Sequence, residues 1–320
     1  MTTLLLDRKA VKTLIKMADV INVVEEAFKI WGEGKGNMPA KTYLAVENGD
    51  FRAMPAALPG CAGMKWVNAH PQNSSRNLPS VMAIIIYNDP ETGYPLAVMD
   101  ATEITAYRTG AAAAIASKYL ARPDSHTIGI IGAGRQAYTQ ILAHAELFSP
   151  ISINVFDISE TAVDRLINSF PEFSIRNCPI QEATASDIVC TLTPSRNPII
   201  KREWIIAGTH INAIGADAAG KEELEPSILK EAIVIVDDLR QASAGGEINV
   251  PIRQGIYSIG EVHGTLAELV LGKKKGRTGN KVITVFDSTG VAMEDIAVAK
   301  LLFEKGQQIG GYPSIDLVGI

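Results

Sequence analysis

Three side chains in this sequence have the types and surroundings that proton and anion chemistry needs. Lys65 sits in Gly63-Met64-Lys65-Trp66-Val67-Asn68-Ala69-His70-Pro71, among apolar neighbours. A lysine in such a strand is costly to bury without a partner. Burial lowers its pKa towards the range in which an amine shuttles protons. The alternative is a lysine at a sheet edge. Arg108 lies in Tyr107-Arg108-Thr109-Gly110-Ala111-Ala112, beside small residues. A guanidinium there suits an anion held against backbone, either a carboxylate gripped by two hydrogen bonds or a pyrophosphate. A structural ion pair would use the same residue. Asp217 closes Asn212-Ala213-Ile214-Gly215-Ala216-Asp217, just past a strand, at the edge where open α/β sheets hold ligands. Its carboxylate could orient a water or pair with a protonated imine, and a solvated loop aspartate is the other reading. His70, near a turn, reads as structural.

A dinucleotide site is predicted separately by Thr127-Ile128-Gly129-Ile130-Ile131-Gly132-Ala133-Gly134-Arg135-Gln136-Ala137. Four β-prone residues form a buried strand, and a glycine turn opens a helix. Gly132 permits the tight turn, Gly134 lets a phosphate approach the backbone, and Ala137 lets helix and strand pack closely. Arg135 and Gln136 open the helix, whose unpaired N–H groups and positive dipole end favour an anion. A second strand over 151–156 ends at Asp157. That acid follows Gly132 at near the spacing, about 20 residues, of the carboxylate that binds an adenosine ribose. Ile158, Ser159 and Glu160 come next, with no cation to offset a 2′-phosphate, so the expected cofactor is NAD rather than NADP. The alternative is a glycine turn in an ordinary α/β domain with a surface Asp157. Strand ends supply further candidates. Thr191, Thr193 and Ser195 could meet coenzyme riboses, and Ser288 with Thr289 the nicotinamide side. Ala213, Ile214 and Gly215 belong to the same expected coenzyme surface.

The elements that must position these groups read as a two-domain α/β protein. The 320 residues suffice for two domains and a sizeable core. Residues 3–6, 41–46, 51–54, 63–68, 81–87 and 96–99 read as strands, with 81–87 central. Helices are expected over 17–31, where Val20, Ile21, Val24, Ala27, Phe28 and Trp31 share one face, and over the alanine-rich 102–121. Gly32, Gly34 and Gly36 stop the first helix, and Asn48-Gly49 signals a hairpin turn. Strands near 127–131, 151–156, 187–192, 210–214 and 233–236 alternate with helices, which implies a Rossmann-type doubly wound parallel sheet. A strand over 282–286 and a helix over 291–304 follow, the helix returning to the first domain. The expected division is residues 1–121 with 291–320, an α+β substrate and dimerisation domain, and 122–290, the dinucleotide domain.

Composition excludes several classes. The formal net charge is −5, which argues against nucleic acid. The basic run Lys273-Lys274-Lys275-Gly276-Arg277 reads as a solvated turn. Three scattered cysteines give neither a zinc spacing nor a disulfide framework, and the five histidines form no ligand pattern, so no metal is expected. No signal-peptide pattern and no run of about 18 apolar residues is present, so the expectation is a cytoplasmic protein off the membrane.

At this point the chain resembles the ornithine cyclodeaminase and μ-crystallin family. The resemblance rests on Gly63–Pro71, Arg108-Thr109-Gly110-Ala111, Gly132–Ala137, Ile214-Gly215-Ala216-Asp217 and Asp287-Ser288-Thr289-Gly290, in the family's order across most of the chain. The archaeal-type alanine dehydrogenase branch is the most similar, through Met38-Pro39-Ala40-Lys41, Phe51-Arg52-Ala53-Met54-Pro55 and Gly208–Asp217. The resemblance implies a homodimer with NAD(H) on the glycine-turn domain. It implies Lys65 as acid/base and Asp217 as the residue handling water or amine. It implies Arg108 towards the substrate carboxylate or, with Thr109, the coenzyme, and Lys41 near the substrate. Ornithine-binding members look to carry a glutamate where this chain has Arg52. An arginine repels a distal amine and attracts a carboxylate, so a short amino acid such as alanine is expected. The resemblance keeps open a cyclodeaminase, a cyclic ketimine reductase, and a nucleotide-dependent binding protein without activity.

Overall fold

The computed structural model describes residues 2–149 and 152–319, so Ile151 of the expected second dinucleotide-domain strand lies outside the described residues. The chain divides into two compact units, residues 1–108 with 291–320 and residues 109–290. The division falls inside the alanine-rich helix, whereas residue 121 lies just beyond that helix's end.

The first unit begins with β1 (Thr3–Leu6), α1 (Arg8–Leu14) and α2 (Met17–Gly32). Asp7 caps α1 by accepting from Ala10 N at 2.8 Å, a helix that hydrophobic spacing alone did not signal. α2 buries Val20, Ile21, Val24, Ala27 and Phe28, as its periodicity predicts, while Trp31 is only half-buried. Five strands then meander: β2 (Thr42–Val46), β3 (Gly49–Leu58), β4 (Cys61–Ala69), β5 (Val81–Asn88) and β6 (Pro95–Asp100). β3 runs past its expected end at residue 54, because Met54, Ala56 and Leu58 keep alternating into the core beyond Pro55. The hairpin turn is Glu47-Asn48 rather than Asn48-Gly49, since Val46 pairs with Gly49. A side chain at Gly49 would meet the Ala69 carbonyl and the His70 ring, so glycine is needed there for pairing.

α3 (Thr102–Leu120) leads into the second unit. Its elements are β7 (Thr127–Ile131), α4 (Arg135–Leu147), β8 (Ser152–Phe156), α5 (Glu160–Asn168), β9 (Ile175–Asn177), α6 (Ile180–Thr184), β10 (Ile188–Thr191), β11 (His210–Ala213), α7 (Pro226–Glu231), β12 (Ile233–Val236), α8 (Leu239–Gly245), α9 (Asn249–Arg253), β13 (Gly264–Thr265), α10 (Leu266–Val270) and β14 (Thr284–Asp287). α11 (Ala292–Ile309) and β15 (Ser314–Ile315) return to the first unit.

The second unit's sheet runs β13-β12-β14-β11-β10-β7-β8-β9, and its pairings among described residues are parallel. β7 lies between β8 and β10, so connections leave it in opposite directions, the switch point of a doubly wound sheet. Gly110 of α3 packs against Thr139 of α4 so closely that a methyl group would strike the Thr139 carbonyl. That contact explains the glycine at this position of α3. Arg277 is not the solvated residue expected from the basic run. Its guanidinium is half-buried and donates to the carbonyls of Leu120 at 2.7 Å and Gly208 at 3.0 Å.

The first unit's sheet runs β15-β1-β6-β5-β4-β3-β2, with β5 central as expected. One face, carrying Met54, Lys65, Ile85 and Met99, is covered by α2 and α11. The opposite face carries Leu44, Phe51, Trp66, Ile84, Ile86 and Val98. Ile84 is 47% exposed and Leu44 54%. Among the described residues no helix is long and apolar enough to cross a membrane.

Candidate active site

The first unit brings Lys65 and Arg108 together through residues that sequence reasoning passed over. Lys65 points from β4 under the helices and is 1% exposed. Its Nζ lies 2.7 Å from Oδ2 of Asp295. Oδ1 of Asp295 accepts from Arg108 Nε at 3.0 Å, and Oε2 of Glu294 accepts from Arg108 Nη1 at 3.0 Å. Both acids are fully buried in the first turn of α11, where the positive end of the helix dipole favours negative charge. Arg108 therefore makes the ion pair that its sequence context left as an alternative. A signal for Glu294 and Asp295 was present. They are adjacent acids in Val291-Ala292-Met293-Glu294-Asp295-Ile296-Ala297, a helix start otherwise apolar all round.

Burial pushes the Lys65 ammonium down to about 7. Asp295 opposes that shift, while the charges of Arg108 and Lys41 add to it. Lys65 is thus an amine whose proton is exchangeable near neutrality, held by one carboxylate. Arg52 projects from β3 to the same sheet face as Lys65, since Met54 pairs with Lys65 across the strands. The Arg52 Nε donates to Asp50 Oδ1 at 2.8 Å, and its guanidinium lies over the Tyr43 ring at 5.3 Å. Lys41 precedes β2, half-buried. His70 is held by Asn68 at 2.9 Å and stands edge-on to Phe51, a structural role.

The second unit presents its candidates at the carboxyl edge of the parallel sheet. Gly132 has φ 103°, which side chains rarely adopt, and a Cβ there would lie 3.2 Å from the Leu192 carbonyl. Gly134 caps the 13-residue α4 with no side-chain hydrogen bond, and a Cβ there would project into open space. This is a cradle with helix N–H groups turned outward, which fits a pyrophosphate. Arg135 is exposed and Gln136 half-buried at the same helix start. Asp157 accepts from Ala133 N at 2.6 Å and Ser159 N at 2.8 Å, so its carboxylate is fixed across the glycine turn. Ile158 is fully exposed beside it.

Thr193 and Ser195 lie on the loop after β10, with Ser195 Oγ donating to Asn197 O at 2.6 Å. Thr191, expected at a coenzyme ribose, turns its hydroxyl into the protein interior. It is completely buried, and its hydroxyl donates to Glu223 at 2.7 Å. Ala213 ends β11 and Ile214 follows it, both in the interior, with Gly215 next. Ser288, just past the end of β14, has a buried hydroxyl with no partner among the described residues, as a donor awaiting a ligand would. Thr109 is buried near the middle of α3. Asp217 is partly exposed, and its Oδ1 lies 2.5 Å from Lys221 Nζ. No group of three or more metal-ligating side chains is present among the described residues.

The family model described as the ornithine cyclodeaminase/mu-crystallin family matches residues 1–309. An alanine dehydrogenase from Archaeoglobus fulgidus is 50% identical over 306 residues, covering 95% of this chain and 95% of that protein. A solved archaeal alanine dehydrogenase dimer with bound NAD superposes with a TM-score of 0.97 at 48% identity, covering 99% of this chain and 100% of that one. The Thermococcus litoralis Delta(1)-pyrroline-2-carboxylate reductase, solved with NADH and L-proline, gives 0.95 at 39% identity, covering 98% and 100%.

Proposed function

The chain belongs to the ornithine cyclodeaminase/mu-crystallin family, and from that premise we propose that it catalyses reversible, NAD-dependent oxidative deamination of L-alanine to pyruvate and ammonia. The observation that carries the reading is the buried Lys65 amine, paired with Asp295 and titrating near neutrality. The choice of alanine is supported by the half-identical archaeal alanine dehydrogenase and by Arg52, whose charge disfavours a substrate with a distal amine.

The coenzyme's place is the glycine cradle. Gly132, Gly134 and the first turn of α4 hold the pyrophosphate, Asp157 the adenosine ribose, and Thr193, Ser195, Gly215 and Ser288 the remainder. When bound, the nicotinamide supplies the acceptor for the hydride that leaves the α-carbon. Lys65, as the free amine, removes a proton from the substrate ammonium, so that the nitrogen lone pair can form the imine as hydride departs. Water then adds to the imine carbon, and the Lys65 ammonium returns a proton to the departing ammonia. Lys41 and Arg52, with Arg108, supply positive charge for the substrate carboxylate. Asp217 is the second proton-handling group, acting on water or amine. The decisive test uses L-alanine deuterated at the α-carbon. Deuterium should appear on NADH, with ammonia released one for one. Loss of the label to solvent, or no turnover in an amino-acid screen with NAD and NADP, rejects the reading.

A second reading, reduction of a cyclic ketimine, is favoured by the relative solved with L-proline. It predicts NADH oxidation by the ketimine without ammonia. The homodimer is also part of the proposal. The open, apolar face of the first unit's sheet is the surface a second copy would close, and patches of this kind mark association sites. Ile84→Glu, at the centre of that face, should convert a dimer to a monomer in light scattering. A variant that stays dimeric rejects this face as the interface.

A further inference from the structure

We propose that Glu223 is a positioning residue for the coenzyme, setting the width of the crevice at the carboxyl edge of the parallel sheet. The inference rests on the coenzyme reading above and adds a residue that touches neither coenzyme nor substrate. Glu223 is fully buried, yet its carboxylate binds the loops that follow two neighbouring strands. Oε2 accepts from the Thr191 hydroxyl at 2.7 Å and from Gly215 N at 2.9 Å. Oε1 accepts from Thr193 N and from the Thr193 hydroxyl, both at 2.7 Å. One side chain therefore gathers the end of β10, the loop after it and the loop after β11.

The chain of contact continues to the glycine turn. A Cβ on Gly132 would lie 3.2 Å from Thr193 Cγ2, so Thr193 packs alongside the turn expected to receive pyrophosphate. Gly215 has no room for a side chain, because a Cβ would lie 2.5 Å from Glu223 Oε2 and strike the Thr193 carbonyl. Glu223 is itself anchored from behind. Oε1 of Glu247 accepts from Glu223 N at 2.8 Å and Leu224 N at 2.6 Å. All four donors to Glu223 need acceptors, and two of them are backbone N–H groups that cannot reverse their role. The neutral isostere is therefore not silent. In Glu223→Gln one oxygen becomes an NH₂ group, which faces either Gly215 N or Thr193 N, donor against donor.

The experiment measures NADH affinity by fluorescence on the intact chain, beside KM for the amino acid and the melting temperature. Wild-type binding of NADH tests the coenzyme reading itself, and its absence defeats that reading rather than this inference. Given wild-type binding, Glu223→Gln should weaken NADH about tenfold or more, with KM for the amino acid within about twofold of wild type. Glu223→Asp should restore part of the affinity. Should Glu223→Gln fail to fold, Thr191→Val removes one interior donor without touching a ligand, and should weaken NADH by about threefold to tenfold. A folded Glu223→Gln, or in its place Thr191→Val, with wild-type NADH affinity and only a lower melting temperature overturns the proposal. So does an equal loss in NADH affinity and in KM.

Discussion

Lys65→Ala should lower turnover by about 10²–10⁴-fold, the usual contribution of a positioned acid or base. NADH affinity should stay within about twofold, because Lys65 is assigned to the substrate and not to the coenzyme. The same loss is expected for Lys65→Arg, whose guanidinium keeps its proton and cannot serve as base. The pH dependence follows from the sign of the shift. Burial lowers the Lys65 pKa to about 7, with Asp295 opposing. Deamination needs the free amine, so wild-type kcat for alanine oxidation should rise as pH passes upward through about 7. Reductive amination needs the ammonium and should fall across the same window. Both limbs should vanish in Lys65→Ala, and a small alkylamine in solution should restore part of the rate. A change in kcat below about threefold in a folded variant removes Lys65 from the mechanism.

What could be read from the sequence, and what could not, divides along physical lines. The parallel sheet and glycine cradle were legible because they are local: strand, turn and helix follow one another, and only glycine tolerates φ 103° at Gly132. The helical face of α2 was legible from its period. Lys65 stood out because its apolar neighbours make an unpaired charge costly. Its partner did not, because Asp295 is brought from near the far end of the chain by α11, and spacing along a sequence says nothing of such returns. The direction of the Thr191 hydroxyl is hidden from the sequence for a related reason. A hydroxyl at the end of a strand points towards a ligand or inward, and the buried acceptor that decides the matter, Glu223, lies on a separate loop. The hairpin turn slipped by one residue because the crowding that demands Gly49 comes from the adjacent strand's end at Ala69. Short elements such as α1 and β9 escaped because they carry too few residues to show a period.

Asp295→Asn should shift the acidic limb of alanine oxidation to lower pH and destabilise the first unit. The isostere keeps the packing but removes the charge that stands 2.7 Å from Lys65 Nζ and 3.0 Å from Arg108 Nε. That charge is what holds the Lys65 proton against burial, so its loss lowers the Lys65 pKa further below the wild-type value of about 7. More of the lysine is then neutral at a given pH, but the amine is a weaker base. Turnover on the alkaline plateau should fall about tenfold while the midpoint moves to lower pH. Removing one partner of a buried ion pair costs about 3–5 kcal/mol. The lysine can shed its proton and Arg108 keeps Glu294, so the lower end of that range is expected, read as a drop in melting temperature. Asp295→Glu, which keeps the charge, should return the midpoint towards wild type even where packing costs some stability. A merely structural Asp295 predicts a lower melting temperature with an unmoved midpoint, and a midpoint that stays or moves to higher pH in a folded Asp295→Asn would show that this carboxylate does not govern the proton on Lys65.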